Sequence, residues 1–523
     1  MIKLNQTQKR LARFSAFPFL LGILFSTQNA YAVNVNTVAQ LLNAVNNGAV
    51  GDTVNVAAGT YALTGTLTPK ANMTIKGTGI STTILQPAAS WNPGAAPKVP
   101  PVSVSATEVI TTAYFFNLAG NTNVTLSDMT LDGMKKLHGG VCSRAANFVM
   151  IYNVLFHDYK FTGVRLHTAH DAIVHDCEFI NVADSGADPE AGAVVFAYLS
   201  KSEFYNNQFY YTKHGAQDIV DGKGANFFGY KGRQLTSTRI HHNTIMVNFS
   251  IELPFEQDRD VEIDHNYMVG MISAPRTGDG GGTPTSGVAF HIHHNFSSAS
   301  QVLEYPRNFV ELDHNLIDNT RLEGGGFIAG WYGNDLYNGP TKVHDNLINN
   351  LGRSICDIGR YNNFQFYNNS VKTYKGANDV SFIIATAATD LDRSTFVVKD
   401  NIFDYSAQKR ALFWQGMGAG FTAVQNNTLI NVSDSTHYTN KNTGAKRGPT
   451  ETLSFDCGAN GEYTVLDWVV THKGGSSIKP RAKQTQHSFQ SSLKNLFYTL
   501  TGRQIVDAAK TNAPSLVNRV EIK

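Results

Sequence analysis

Between Asp128 and Asn427 the chain keeps rewriting one short phrase, in which a run of β-forming residues leads into an asparagine, a spacer and another apolar residue. Ile240-His-His-Asn243-Thr-Ile, Ile263-Asp-His-Asn266-Tyr-Met, Leu312-Asp-His-Asn315-Leu-Ile, Val343-His-Asp-Asn346-Leu-Ile and Phe366-Tyr-Asn-Asn369-Ser-Val are its clearest copies. The same slot holds Asp128, Asn153, Cys177, Asn207, Asn243, Asn266, Asn295, Asn315, Asn346, Asn369, Asn401 and Asn427. These anchors recur every 27 residues or so, roughly the length of one supersecondary unit that buries its apolar face on the next. Alternating β-branched and aromatic residues, with little helical periodicity, make that unit one turn of a parallel β-helix.

An asparagine recurring at a tight turn between strands tolerates left-handed backbone, and its side chain can bond the backbone or the asparagine of the next turn. The slot resembles the asparagine ladder of right-handed β-helices in the pectin-lyase-like superfamily. The resemblance runs from about residue 34 to 433. It implies an all-β, right-handed parallel β-helix of about 11–13 rungs. It does not imply a reaction, because the superfamily holds lyases, hydrolases, epimerases and adhesins.

The N-terminus carries Lys3, Lys9, Arg10 and Arg13, an apolar run from Phe14 to Phe25, and Ala30-Tyr31-Ala32. This is the layout of a cleavable signal peptide over residues 1–32, so the chain is expected to be secreted or periplasmic. No later stretch is apolar for long enough to span a bilayer. A formal net charge of +2 with 16% charged residues gives no global field for nucleic acid or membrane. Any attraction for an anion must be local. The four cysteines, Cys142, Cys177, Cys356 and Cys457, permit one or two disulfides in an exported chain. Cys177 in an anchor slot and Cys356 in a strand read instead as buried thiols.

Thr37 is placed to cap a short helix with Val38, Leu41, Leu42 and Val45 on one face, ended by Gly48 and suited to seal the first rung. The solenoid is expected over 33–433, followed by a tail or cap over 434–523. Trp91 to Pro101 is too proline-rich for a ladder, and Thr277-Gly-Asp-Gly-Gly-Gly-Thr-Pro284 reads as a second excursion.

Four segments align with one another: Ile251-Glu252-Leu-Pro-Phe255, Ile272-Ser273-Ala-Pro-Arg276, Leu303-Glu304-Tyr-Pro-Arg307 and Cys356-Asp357-Ile-Gly-Arg360. They predict one outward column of Glu252, Ser273, Glu304 and Asp357, and a second of Arg276, Arg307 and Arg360 joined by Lys231. Ala329-Gly-Trp331-Tyr332 extends the set. With a rung rise of about 4.8 Å, Glu252 and Glu304 are expected about 9.6 Å apart, within reach of a shared Ca²⁺ or near the spacing of an inverting glycosidase.

A strip of arginines in a nearly neutral chain suits the carboxylates of an acidic polysaccharide. Elimination from a uronate needs its carboxylate neutralised, a base near the C5 proton and an acid for the leaving oxygen. The candidates for base and acid are Lys231, Arg276, Arg307, Tyr332 and His167. Arg165, Trp331, Arg360 and Asp357 are candidates for holding substrate, and Glu252 and Glu304 for holding Ca²⁺. The expected protein is a monomeric lyase with no nucleic-acid partner. A glycoside hydrolase using Glu252, Glu304 or Asp357, or a glycan-binding adhesin, fits the same columns, which also suit a surface ion-pair ladder. The Arg-His-Gly string characteristic of the chondroitinase B and alginate lyase family is lacking, the nearest being Lys213-His-Gly215. His242, His265, His294 and His314, each before an anchor, read as a stacked ladder at the solvent edge. Asp184, Asp188 and Glu190 read as a solvated loop.

Overall fold

The computed structural model describes residues 31–93, 113–118, 120–182, 192–210, 228–246, 249–254, 259–268, 288–293, 310–318, 326–329, 337–338, 341–351, 355–358, 360–361, 364–373, 382–384, 397–405, 410–411, 413–414, 423–430 and 432–433, with the short segments 462–463, 470–471, 477–478 and 520–521. Among these, 35 strands join in one hydrogen-bonded network. Its ladders are parallel, from Ala32–Val35 on Thr53–Val56 to Ile402–Asp404 on Thr428–Ile430. Parallel neighbours require a crossover, and crossovers of this kind are right-handed. The result is a right-handed parallel β-helix. The described pairings beyond residue 433 are different in kind: Glu462–Tyr463 on Val520–Glu521 and Val470–Thr471 on Ser477–Ile478, both antiparallel.

The predicted helix spans Val38–Asn47, with the Thr37 side chain accepting from the Gln40 amide at 3.2 Å. Leu41 and Val45 are fully buried, and Val38 and Leu42 pack against the core. The core fills the cylinder: Phe156, Phe179 and Phe209 stack at 4.8 Å from ring to ring, the rise of the rungs. Cys142 and Cys177 are buried free thiols.

The asparagine turn divides its labour between two residues. The residue before each ladder asparagine takes the left-handed conformation, as in Asn206 (φ 53), His242 (φ 55), His265 (φ 53), His314 (φ 51) and Asp345 (φ 54). The asparagine itself is buried. Asn266 accepts from the Asn243 amide at 3.0 Å and gives its own side-chain amide to the Ile240 carbonyl at 2.9 Å and to Asn315 Oδ1 at 3.0 Å. The same pattern runs through Asn207, Asn243, Asn266, Asn315, Asn346, Asn369, Asn401 and Asn427.

Three anchors therefore shift. Asp128 (φ 59) and Asn153 (φ 50) occupy the left-handed position, and the ladder slot on their rungs falls to Met129 and Val154. Asn295 is not a rung anchor, because Asn266 bonds directly to Asn315 across 49 residues. One 49-residue rung stands where the repeat count placed two.

Candidate active site

On one sheet of the helix the strands Gly139–Arg144, Thr162–His170, Gly192–Ser200, Phe228–His241, Phe249–Pro254, Val288–His293, Gly326–Ala329 and Cys356–Ile358 follow one another. Their register aligns Cys142, Arg165, Val195, Lys231, Glu252, His291, Ala329 and Asp357 in a single column. Two residues further along, Arg144, His167, Ala197 and Arg233 form a second column, level with the Pro254–His293 pair.

Alternation decides which way the first column faces. Val164, Leu166, Val194, Phe196 and Tyr230 belong to the main core, whereas Val195 and Ala197 are buried outside it. Arg165, Val195 and Lys231 thus lie on the outer side of the sheet. Gly232 is held inward at closest approach, where a Cβ would come within 1.7 Å of the Phe196 ring. A side chain there would push apart the strands that carry Val195 and Lys231.

The outer side is nevertheless covered. Arg165 and Lys231 are each 2% exposed and His167 is 8% exposed. Nη1 of Arg165 is buried and makes no hydrogen bond. The Cys142 thiol beneath Arg165 is pushed up to about 11 by burial, against the pull of that guanidinium, so it supplies no counter-charge. Burying a cation with one of its donor nitrogens unmet costs several kcal/mol, roughly, unless an anion completes it. His167 is fixed through a 2.7 Å hydrogen bond between Nδ1 and Thr168 Oγ1.

The register keeps some predicted neighbours together and separates others. Lys231 sits directly beside Glu252, in the carboxylate column and not with the arginines. Asp357 shares that column, but the rungs between it and Glu252 contribute His291 and Ala329, where Ser273 and Glu304 were expected. The alignment slipped because the long rung was counted as two. Arg360 pairs with Tyr337 in a separate two-stranded sheet. Arg276, Arg307, Trp331, Tyr332, Ser273 and Glu304 lie outside the described residues, as do Lys213-His-Gly215, His294 and the 184–190 loop.

Arg144, Arg233, His291 and His293 were not singled out from the sequence. The histidines were hidden by mimicry, since Phe290-His-Ile-His-His294-Asn295 copies the anchor phrase. Rung length was the available signal. The rung from Asn207 to Asn243 takes 36 residues and that from Asn266 to Asn315 takes 49, whereas the rung between them, which holds Glu252, takes 23.

Of the pair expected to hold Ca²⁺, Glu252 stands on the strand between those of Lys231 and His291, and Glu304 lies outside the described residues. Among the described residues one group has metal-ligand character, Asp132, His157 and Asp158, with ligand atoms within 4.8 Å of one another and all partly exposed. It is formed by one pair of register neighbours and the residue that follows them, outside the two columns.

No protein-family model matches the chain. No curated protein matches it either. Solved structures similar to it include an alginate lyase from a Paenibacillus species, at 14% identity over 60% of this chain and 94% of that one, TM-score 0.38. The A-module of an Azotobacter vinelandii mannuronan C-5 epimerase matches at 13% identity over 80% and 96%, TM-score 0.41. A Yersinia enterocolitica family 28 exopolygalacturonase matches at 10% identity over 80% and 79%, TM-score 0.41. The likenesses are distant, and the fold assignment rests on the strand register.

Proposed function

We propose that this chain is an exported enzyme that cleaves an acidic, uronate-containing polysaccharide by β-elimination. The observation that carries the reading is the buried Arg165 guanidinium with an unmet Nη1 donor, in one outward column with Lys231. In such a setting a uronate carboxylate is the complementary charge, and a bidentate guanidinium–carboxylate contact both orients the sugar and draws electron density from C5.

Arg165 and Lys231 are two rungs apart, about 9.6 Å along the column between backbones, so their long side chains can converge on one uronate, whose carboxylate and acidic proton are both borne by C5. Lys231 acts as the base. The electron pair released at C5 is held by the Arg165-bound carboxylate, then forms the C4–C5 double bond as the bond from C4 to the glycosidic oxygen breaks. His167 supplies the proton to that oxygen. The products are a new reducing end and an unsaturated uronate.

The hydrolase alternative is weaker on this geometry. Glu252 and Asp357 are three rungs apart, about 14 Å between backbones, beyond the roughly 6.5–9.5 Å that separate the carboxyl groups of inverting enzymes. A glycan-binding adhesin would have no use for a base and an acid placed beside a covered guanidinium with an unmet donor.

The test is a screen of the 33–523 chain against alginate, pectate, chondroitin, glucuronan and neutral glucans, following the ultraviolet absorbance of the double bond and reducing ends in parallel. Equal growth of both on a uronate polymer is expected. Reducing ends without absorbance would replace elimination by hydrolysis.

A further inference from the structure

We propose that Tyr198 is a stacking platform for a pyranose ring of the substrate, at the open edge of the cation columns, and so a positioning and specificity residue. The proposal rests on the polysaccharide reading above and adds to it the residue that holds the sugar plane.

Three observations meet at Tyr198. Its strand, Gly192–Ser200, runs between the Arg165 and Lys231 strands and gives the outer face only Val195 and Ala197. These small side chains form a covered floor one strand wide, with Arg165 and His167 on the strand along one side and Lys231 on the strand along the other. Tyr198 directly follows that floor and is 40% exposed, in contrast to the covered cations beside it. Its ring centroid lies 5.3 Å from that of His167, tilted by 60°, so the two rings meet across the strand boundary without sealing each other's faces.

The backbone makes the choice of residue costly. Tyr198 has φ 57, and the residues aligned with it on the preceding rungs, Thr168 (φ 50) and Ala145 (φ 56), share the left-handed turn. Left-handed backbone suits glycine and asparagine and penalises an aromatic residue. Phe148 (φ 55, 51% exposed) shares that backbone and exposure, so what singles out Tyr198 is its place beside the column of buried cations. A pyranose offers what the ring can use: an apolar face of C–H groups, with the carboxylate projecting at its edge toward Arg165.

The experiment measures binding of uronate and neutral oligosaccharides by calorimetry, and steady-state kinetics on the cleaved polymer, for wild type, Tyr198→Phe, Tyr198→Ala and Tyr198→Asn in the mature chain. Tyr198→Ala and Tyr198→Asn are expected to weaken binding and raise KM about three- to tenfold with kcat little changed, a loss typical of one aromatic contact. Tyr198→Phe should bind as wild type. Tyr198→Asn should melt no lower than wild type, because it relieves the turn, which separates lost stacking from damaged folding. Unchanged binding and KM in Tyr198→Ala overturn the platform and leave the uronate reading standing. Wild-type binding confined to a neutral glycan, weakened by Tyr198→Ala, keeps the platform and overturns the uronate reading. Binding of no oligosaccharide by wild type overturns both.

Discussion

The asparagine turn and the outer cation columns are built on the same rungs, yet they treat polar groups in opposite ways. At the turn the asparagine side chains find their partners inside the protein, although Ser370 Oγ and Asp313 Oδ1 beside them are buried without one. Asn346 accepts from the Asn315 amide at 2.9 Å and gives its own amide hydrogens to carbonyls and to Asn369. The ring stack just outside it is equally self-contained: His242, His265 and His314 stack at 4.9 and 5.0 Å, and Arg239 grips Asp264 with bonds of 2.7 and 2.6 Å. On the other sheet Arg165 is as deeply buried and still has a donor unmet. The difference is one of charge: the atoms left short at the turn belong to a hydroxyl and to a carboxylate bonded through its other oxygen, whereas on the outer sheet a guanidinium donor is left short, which suits an anionic ligand.

The contrast is sharpest in what substitutions do. Lys231→Met should abolish most activity, a fall on the order of 10²–10⁴-fold as for loss of a general base, while the thermal midpoint stays close to that of wild type. Turnover assays with a melting curve check both halves. Asn266→Ala should do the reverse. It strands the Asn243 amide and the Ile240 carbonyl in a dry interior and should cost about 2–4 kcal/mol of stability, read from denaturant midpoints, with activity per folded molecule retained.

Arg165→Met removes a buried charge that has one donor nitrogen unmet. It should raise stability by about 1–2 kcal/mol in the same measurement while weakening carboxylate binding. If Arg165→Met is as destabilising as Asn266→Ala, the two regions do not differ as described.

The smallest effect is a pH signature of the turn edge. Burial alone would lower His344, but hydrogen bonds with Asp345 at 2.8 Å and Glu311 at 2.9 Å outweigh it and hold its pKa at about 9. A raised folded-state value stabilises fully below the unfolded value near 6.5 and is lost as pH rises through about 9. Screening by solvent reduces the contribution to roughly 1 kcal/mol. His242 has the opposite sign: burial, then the neighbouring imidazoles, lower it to about 4, so its contribution is complete above 6.5 and lost as pH falls toward 4. His344→Gln should flatten the alkaline limb of a stability–pH curve and leave the acid limb in place.

The fold was legible because one physical requirement, a buried amide at each turn, repeats in the sequence with little variation. The same repetition misled the count. Asn295 follows the right kind of residues but lies within a rung already anchored at Asn266, and the slip displaced the predicted column by placing Ser273 and Glu304 where His291 and Ala329 stand. The His242 to His314 stack was read correctly in kind, without His294 between its members. Site residues carry no such repeat. Lys231 and Glu252 were recognised as chemistry-bearing, but their direct pairing depends on register, and Tyr198 is notable only through a backbone angle. No periodicity reports either.

The central claim is that the buried cation column takes the carboxylate of a uronate. It is tested most directly by titrating one uronate oligosaccharide and its carboxyl-reduced counterpart into Lys231→Met and into the Lys231→Met, Arg165→Met double variant. The account predicts that the single variant binds the uronate at least about tenfold more tightly than the reduced sugar, and that the double variant loses the preference. Equal affinity for the two sugars in the single variant would contradict it.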